Sequence, residues 1–142
     1  MALDIDALET SFDLIASRGD ELTEIFYRRL FGAAPSVEPL FARTDMRRQK
    51  AMLLATLALL RTSLRDLDAI VPKLRELGAR HVAYGAKPEH YPVVGAVLIA
   101  SMAEVGGDAW RTEYTTAWVH VYQVVADRMR FGAASVRSRR AA

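Results

Sequence analysis

Residues 71–95 read VPKLRELGARHVAYGAKPEHYPVVG and contain two of the protein's three histidines, His81 and His90. Apolar side chains recur at three- and four-residue spacing before His81, which predicts a helix whose apolar face carries this imidazole near its end. A buried imidazole either hydrogen-bonds through its nitrogens or uses one of them to bind a metal. From spacing alone, both interpretations stay open for His81. His90 follows Pro88 at a predicted helix start, where a structural histidine is ordinary.

The same helical periodicity runs through the rest of the 142 residues, with no internal repeat, alternating strand pattern or low-complexity linker. It predicts an all-α chain of about seven helical segments. Asp20, and Thr44 or Asp45, are predicted N-caps. Pro72 is compatible with a helix only in its first turn. The predicted segments cover residues 4–17, 19–34, 35–41, 44–64, 67–85, 87–107 and 108–129, of which 35–41 is short and turn-like.

The composition, with 51% hydrophobic and 25% charged residues, predicts one soluble domain with a sizeable core. The sequence has no cysteine, which excludes disulfides, thiolate metal sites and cysteine nucleophiles. The N-terminal stretch MALDIDALETSFDLI is acidic and amphipathic, unlike a signal peptide. Since no run approaches the roughly 18 uninterrupted apolar residues of a membrane span, we expect a cytoplasmic protein that does not cross a membrane.

The basic character of the protein is concentrated at its C-terminus. The net charge is +2, but residues 1–127 carry 14 basic and 17 acidic side chains, and five arginines with no acid follow them. The ending VRSRRAA lacks the aromatic residues or motif of a nucleic-acid-binding module. We therefore expect no nucleic-acid partner, and we interpret residues 1–133 as the folded domain and residues 134–142 as a flexible basic tail.

Two other polar side chains interrupt apolar patterns. Gln49 shares a predicted helix face with Met46, Leu53 and other core-type residues, where an amide needs hydrogen-bond partners. Gln49 either lies at the exposed edge of that face or lies within it, where its amide must have hydrogen-bond partners. Tyr27 lies near Phe26 and Phe31 and fits a core aromatic whose hydroxyl reaches water. The three scattered histidines form no His-Glu-x-x-His or similar metal-binding pattern.

Taken in order, several short stretches resemble the globin family, in particular single-domain bacterial haemoglobins of the Vitreoscilla type and the haem domain of flavohaemoglobins. The stretches are FYRRLF (26–31), VEPLF (37–41), the helix bearing Gln49, VPKLRELGARHVAYG (71–85), HYPVVG (90–95) and AWVHVY (117–122). The similarity covers about residues 5–130, and the block around His81 with HYPVVG is its most specific part. The resemblance implies a globin fold around a pocket for haem b, the iron protoporphyrin IX group.

The resemblance also implies a role for each candidate site residue. His81 becomes the proximal ligand of the haem iron, since a neutral imidazole is a usual axial ligand. Tyr27 and Gln49 become the distal polar pair that hydrogen-bonds a bound gas, with Leu53 as an apolar wall one turn after Gln49. The residues expected to contact the haem are Phe41, Leu53, Leu77, Arg80, His81 and Tyr91.

One position departs from the family pattern on the proximal side. In flavohaemoglobins, the tyrosine that Tyr91 matches joins a hydrogen-bond network with a glutamate and the proximal histidine. The position of that glutamate falls near Ala133, within RFGAAS, where no acid is present. This argues against a peroxidase-like, electron-donating proximal side. Arg80 and Lys87 are placed to approach a haem propionate or simply to be solvated.

The resemblance implies a haem protein that reversibly binds O₂, CO and NO, for oxygen storage, delivery or scavenging, with no catalytic residue assigned. The alternative is a nitric oxide dioxygenase that converts NO to nitrate. Because no flavin or nicotinamide domain follows in this sequence, that enzyme would depend on a separate reductase. A gas or redox sensor module is a third interpretation. The sequence predicts no oligomeric state.

Overall fold

The computed structural model describes residues 3–141, and the secondary structure assigned within this range is helical throughout. The six α-helices are α1 (Ile5–Ile15), α2 (Gly19–Ala33), α3 (Met46–Thr62), α4 (Val71–Ala83), α5 (His90–Gly106) and α6 (Thr112–Ala141). Short 3-10 helices cover Ala16–Arg18, Pro35–Phe41, Leu67–Ile70 and Gly107–Ala109. The all-α prediction is confirmed, and the short turn-like segment predicted at 35–41 is a 3-10 helix.

Local sequence signals set several helix starts. The Asp45 carboxylate accepts hydrogen bonds from the backbone nitrogens of Arg47 and Arg48, at 3.1 and 3.4 Å, and so caps α3 as predicted. Pro72 lies in the first turn of α4, where a backbone N–H has no partner within the helix, so its lack of an N–H costs no hydrogen bond. The predicted segment 19–34 agrees with α2, but its predicted N-cap was wrong, because the helix begins at Gly19 with Arg18 in the N-cap position and Asp20 inside its first turn.

The core lies between α1, α2, α5 and α6: α5 contacts each of the other three helices, and α1 also contacts α6. Its fully buried apolar side chains include Leu8, Ile15, Leu22, Met102, Val105 and Val121. A polar contact crosses this core, where Trp118 Nε1 donates to the Ser11 hydroxyl at 2.8 Å. Each large apolar side chain buried here contributes roughly 1.5–3 kcal/mol to folding, so this packing holds the four helices together.

Helix α5 is the most apolar segment of the fold. Residues His90–Ala109 are long and apolar enough, by length and composition alone, to cross a membrane. In the fold, however, α5 packs against α2 and α6, and eight of its residues are buried. This placement is that of a core helix, and it brings the first turn of α5 next to the C-terminal half of α6.

Two glycines allow α4 to lie directly against α6. A Cβ atom at Gly78 would overlap the carbonyl oxygen of Met129, and one at Gly132 would overlap the carbonyl oxygen of Arg75. The two backbones therefore approach more closely than any larger side chain permits. Because His81 lies one turn after Gly78, this close crossing sets the position of the candidate imidazole.

Helix α6 is longer than the sequence indicated. It was expected to end near Met129, but it continues to Ala141 and crosses the proposed boundary at residues 133 and 134 without a break. Within this extension, Arg137 Nη2 donates to the carbonyl oxygen of Ala86 at 2.8 Å, which joins α6 to the loop after α4. The separate, flexible character of residues 134–142 stays a prediction.

Candidate functional site

The first group of candidate residues is centred on Tyr27, which α2 holds in the core at 5% exposure. Gln49, on α3, donates from Nε2 to the Tyr27 hydroxyl oxygen at 3.1 Å. Burial raises the pKa of Tyr27, and the hydrogen bond from Gln49 partly opposes that rise. The phenol is therefore neutral at physiological pH, and because its oxygen accepts from Gln49, its own hydrogen is available to a second partner.

Aromatic packing fixes the orientation of Tyr27. Its ring centroid lies 4.8 Å from that of Phe26, 6.0 Å from that of Phe31 and 5.7 Å from that of Phe41. The rings of Tyr27 and Phe41 meet edge to face, an arrangement that aromatic quadrupoles favour. Phe41 is half-buried at the end of the 3-10 helix Pro35–Phe41, and Leu53 is half-buried one turn after Gln49. We call Tyr27, Phe41, Gln49 and Leu53 the Tyr27 group.

His81 is the centre of the second group and lies half-buried in the last turn of α4. Its Nδ1 is 2.7 Å from the carbonyl oxygen of Leu77, so Nδ1 carries the hydrogen and donates. Burial lowers the pKa of His81 more than this hydrogen bond raises it. The result is a neutral imidazole with a fixed tautomer, whose Nε2 lone pair can bind a metal.

The other residues near His81 differ in exposure. Leu77 is half-buried and supplies the carbonyl that orients the ring. Arg80 is exposed and pairs with Glu76 on the same helix. His90 is held locally, because its Nδ1 accepts from the backbone nitrogen of Lys87 at 3.0 Å. The roles assigned to Leu77 and Arg80 toward a cofactor stay predictions, while the geometry of His90 is that of a structural side chain.

Tyr91, in the first turn of α5, is 6% exposed. Its backbone carbonyl accepts from the Tyr122 hydroxyl at 2.6 Å, and burial raises the pKa of Tyr122 to about 12. The Tyr91 hydroxyl itself is buried and has no hydrogen-bond partner among residues 3–141. We call Leu77, Arg80, His81 and Tyr91 the His81 group.

The loop after His81 contacts the segment that carries Phe41. Gly85, just after α4, has φ +92°, a left-handed conformation that favours glycine. A Cβ atom added at Gly85 would lie 3.0 Å from Cδ2 of Leu40, the neighbour of Phe41. This contact brings the loop after His81 beside the segment that carries Phe41.

Two residues near Tyr91 were not identified from the sequence. The guanidinium carbon of Arg130 lies 5.2 Å from the Tyr91 ring centroid, and the charges of Arg137 and Arg130 both lower the Tyr91 pKa, while burial raises it more strongly. Their seven-residue spacing places both arginines on one face of α6, which was the available signal. It was missed because the C-terminal arginines were considered only as a source of net positive charge.

Within the part of the chain that the structure describes, no cluster of three or more His, Asp or Glu side chains is arranged to hold a metal ion. His81 is therefore a candidate for a metal that arrives inside a larger group, where one protein ligand and an apolar pocket suffice. The half-buried apolar side chains of Phe41, Leu53 and Leu77 provide surfaces of that kind.

Comparison with known proteins gives a consistent result. Residues 24–129 match the sequence model of the family described as Globin. A flavohemoprotein of Bacillus subtilis is 30% identical over 125 residues, which are 87% of this chain and 31% of that protein. The chain thus spans about a third of the length of such curated relatives.

Solved structures show the same fold. An engineered carbene transferase from Rhodothermus marinus superposes with a TM-score of 0.87 at 22% identity, covering 97% of this chain and 96% of that one. A Pseudomonas aeruginosa protein described as structurally highly homologous to human haemoglobin gives a TM-score of 0.78 at 28% identity, covering 91% and 97%.

Proposed function

Since the chain belongs to the globin family, we propose that it holds haem b through His81 and binds the diatomic gases O₂, CO and NO. The observation that carries this proposal is the state of the His81 imidazole. It is half-buried, its Nδ1 is oriented by the Leu77 carbonyl at 2.7 Å, and burial lowers its pKa, which favours the neutral form that metal binding requires.

The residues of both groups fit a flat, largely apolar cofactor. Phe41, Leu53 and Leu77 are each half-buried and offer apolar surface beside the core. When bound, haem supplies an iron centre that coordinates small gases, with a histidine as its axial protein ligand. We assign His81 to hold it, Phe41 to pack on its face and Leu53 to exclude water from the gas-binding side.

Tyr27 and Gln49 then have different tasks. Because Gln49 Nε2 donates to the Tyr27 oxygen, the Tyr27 O–H is the group that donates to a gas molecule in the pocket. Gln49 positions that hydroxyl, together with the packing of Phe26, Phe31 and Phe41 around the ring. A fixed donor stabilises a gas that carries partial negative charge, and O₂ develops more of it than CO.

For the physiological role, we propose oxygen storage, delivery or scavenging. The likeness to flavohemoproteins favours one alternative, the conversion of NO to nitrate by a nitric oxide dioxygenase. In that role, a separate reductase would return the electrons that each turnover consumes. Sustained NO consumption with a generic reductase would favour the enzyme, whereas a single slow turnover under every electron donor would favour the binding protein.

The experiment that tests haem binding compares the absorption spectra of the wild-type protein with those of His81→Ala and His90→Ala. Spectra are taken in the ferric, reduced and CO-bound states. A stoichiometric Soret band that CO shifts, and that is lost or altered only in His81→Ala, is the expected result. His90→Ala is the matched control because the His90 ring is held by the backbone of Lys87. Haem uptake that is indifferent to His81 would contradict the proposal.

A further inference from the structure

The Tyr91 hydroxyl is a buried polar group whose hydrogen-bonding capacity is unused within the described chain. Tyr91 is 6% exposed, and its hydroxyl has no hydrogen-bond partner among residues 3–141. Folded proteins pair the large majority of buried polar atoms, so an unpaired one calls for a partner that is not part of the chain.

Two arginines of α6 lie beside this phenol. The guanidinium carbon of Arg130 is 5.2 Å from the Tyr91 ring centroid, and its Nε is buried and also without a hydrogen-bond partner among the described residues. The Nη1 of Arg130 lies 3.6 Å from the exposed carboxylate of Asp127. Arg137, two turns later on the same helix face, donates from Nη2 to the Ala86 carbonyl. Two cationic side chains and a phenol are thus gathered at one place.

A small side chain separates the two arginines along α6. Ala133 lies one turn after Arg130 and one turn before Arg137, and it is 1% exposed. The unpaired groups here are donors, namely the Tyr91 O–H and the Arg130 Nε–H. The partner that such a set favours is an acceptor with negative charge, because charge-assisted hydrogen bonds to guanidinium groups are the stronger kind.

We propose that Tyr91, Arg130 and Arg137 form a binding site for one small oxyanion of the carboxylate or nitrate type. The anion is either free in solution or a propionate of the bound haem, since both present the same planar oxygens. The propionate form rests on the proposed function. The free-anion form does not, and titration of nitrate into the haem-free protein tests it alone.

The site is connected to His81 through two hydrogen bonds. Arg137 donates to the Ala86 carbonyl at 2.8 Å, and the Ala86 nitrogen donates to the His81 carbonyl at 2.9 Å. An anion that draws Arg137 toward Tyr91 therefore acts on the loop that holds the end of α4.

The test is isothermal titration of nitrate into the purified protein in a buffer without other small anions. It is carried out on protein with natural haem and on protein loaded with haem dimethyl ester, whose propionates are blocked. We expect saturable binding of one nitrate per chain. Tyr91→Phe and Arg137→Gln should each weaken it by at least about ten-fold. Arg139→Gln is the matched control, since it removes the same charge from an exposed position of α6.

The two arms identify the source of the anion. Nitrate binding with natural haem assigns the site to a free anion, and binding only with the dimethyl ester assigns it to a propionate. Ala133→Glu supplies an internal carboxylate between the arginines and should abolish nitrate binding in both arms. No saturable binding in either arm, or equal weakening by Arg139→Gln, would overturn the proposal. Haem uptake is read separately from the Soret band, so a failure here is distinct from a failure of the proposed function.

Discussion

Tyr27 and Tyr91 are both buried tyrosines at the edge of the core, but they satisfy their hydroxyls differently. Tyr27 accepts a hydrogen bond from Gln49 of the neighbouring helix and sits among three aromatic rings. Tyr91 lies beside two arginines, with no partner for its hydroxyl within residues 3–141. The Tyr27 hydroxyl oxygen has a hydrogen-bond partner in the chain, and only its hydrogen is left to donate. The donors around Tyr91, in contrast, fit the anion proposed above.

The comparison also shows how each side is held in place. Side-chain packing orients the Tyr27 group. Backbone carbonyls hold the His81 side in place. The Leu77 carbonyl orients the His81 ring, the Ala86 carbonyl accepts from Arg137, and the Tyr91 carbonyl accepts from Tyr122. Changes in helix position should therefore disturb the His81 group more than the Tyr27 group, and the predictions below test this difference, beginning with the largest effect.

The first prediction concerns Gly78, which allows α4 to contact α6. Gly78→Val would force a side chain into the Met129 carbonyl, and we expect it to lower the free energy of unfolding by more than about 3 kcal/mol through overpacking. Urea unfolding measures the change. Gly32→Ala is the control, because its Cβ meets nothing within 4 Å and an exposed helical alanine should stabilise by about 0.5–1 kcal/mol. Equal stability of Gly78→Val and the wild type would refute the close crossing.

The second prediction concerns the hydrogen bond that Tyr27 offers. Tyr27→Phe should speed O₂ dissociation by a few-fold to about a hundred-fold, the range expected for loss of one hydrogen bond of roughly 0.5–3 kcal/mol. CO dissociation should change less. Gln49→Leu should have a smaller effect in the same direction, since it only frees the hydroxyl to rotate. Flash photolysis and stopped-flow mixing measure both gases, and equal effects on O₂ and CO would reject the assigned roles.

The third prediction uses alkaline pH to weaken the His81 side. Burial raises the pKa of Tyr122 from 10.0 to about 12. Because the pKa is higher in the folded state, the stability that this phenol contributes is fully present below pH 10 and is lost as the pH rises toward 12. Between pH 9 and pH 12, the wild type should lose up to about 2 kcal/mol more unfolding free energy than Tyr122→Phe. Parallel pH profiles of the two proteins would contradict the burial of the Tyr122 phenol as the source of this pH dependence.

The fourth prediction concerns the start of α3 on the Tyr27 side. Asp45→Ala removes the carboxylate that accepts from the nitrogens of Arg47 and Arg48, and it should cost about 1 kcal/mol of unfolding free energy. Asp45→Asn, which keeps a capping oxygen, should cost clearly less in the same thermal unfolding experiment. If both variants lost the same stability, charge rather than capping would be responsible.

The sequence by itself determined the helical class, the order of the helical segments and several of their starts. Three- and four-residue periodicity, the Asp45 cap and the position of Pro72 are local properties, and local properties can be read from a string of residues. The sequence also resembles the globin family, and the comparisons confirm that the chain belongs to it. The roles of His81, Tyr27 and Gln49 toward haem and gas remain predictions.

Only the tertiary structure decided which buried polar side chains lie next to one another. The extension of α6 to Ala141 and the approach of Arg130 and Arg137 to Tyr91 depend on how α4 and α6 cross at Gly78 and Gly132. A helix pattern shows which side of a helix is apolar, but not which residue of another helix lies opposite. That pairing depends on contacts between residues far apart in the chain, and here it places Arg130 of α6 over the ring of Tyr91 of α5 and Arg137 against the Ala86 carbonyl.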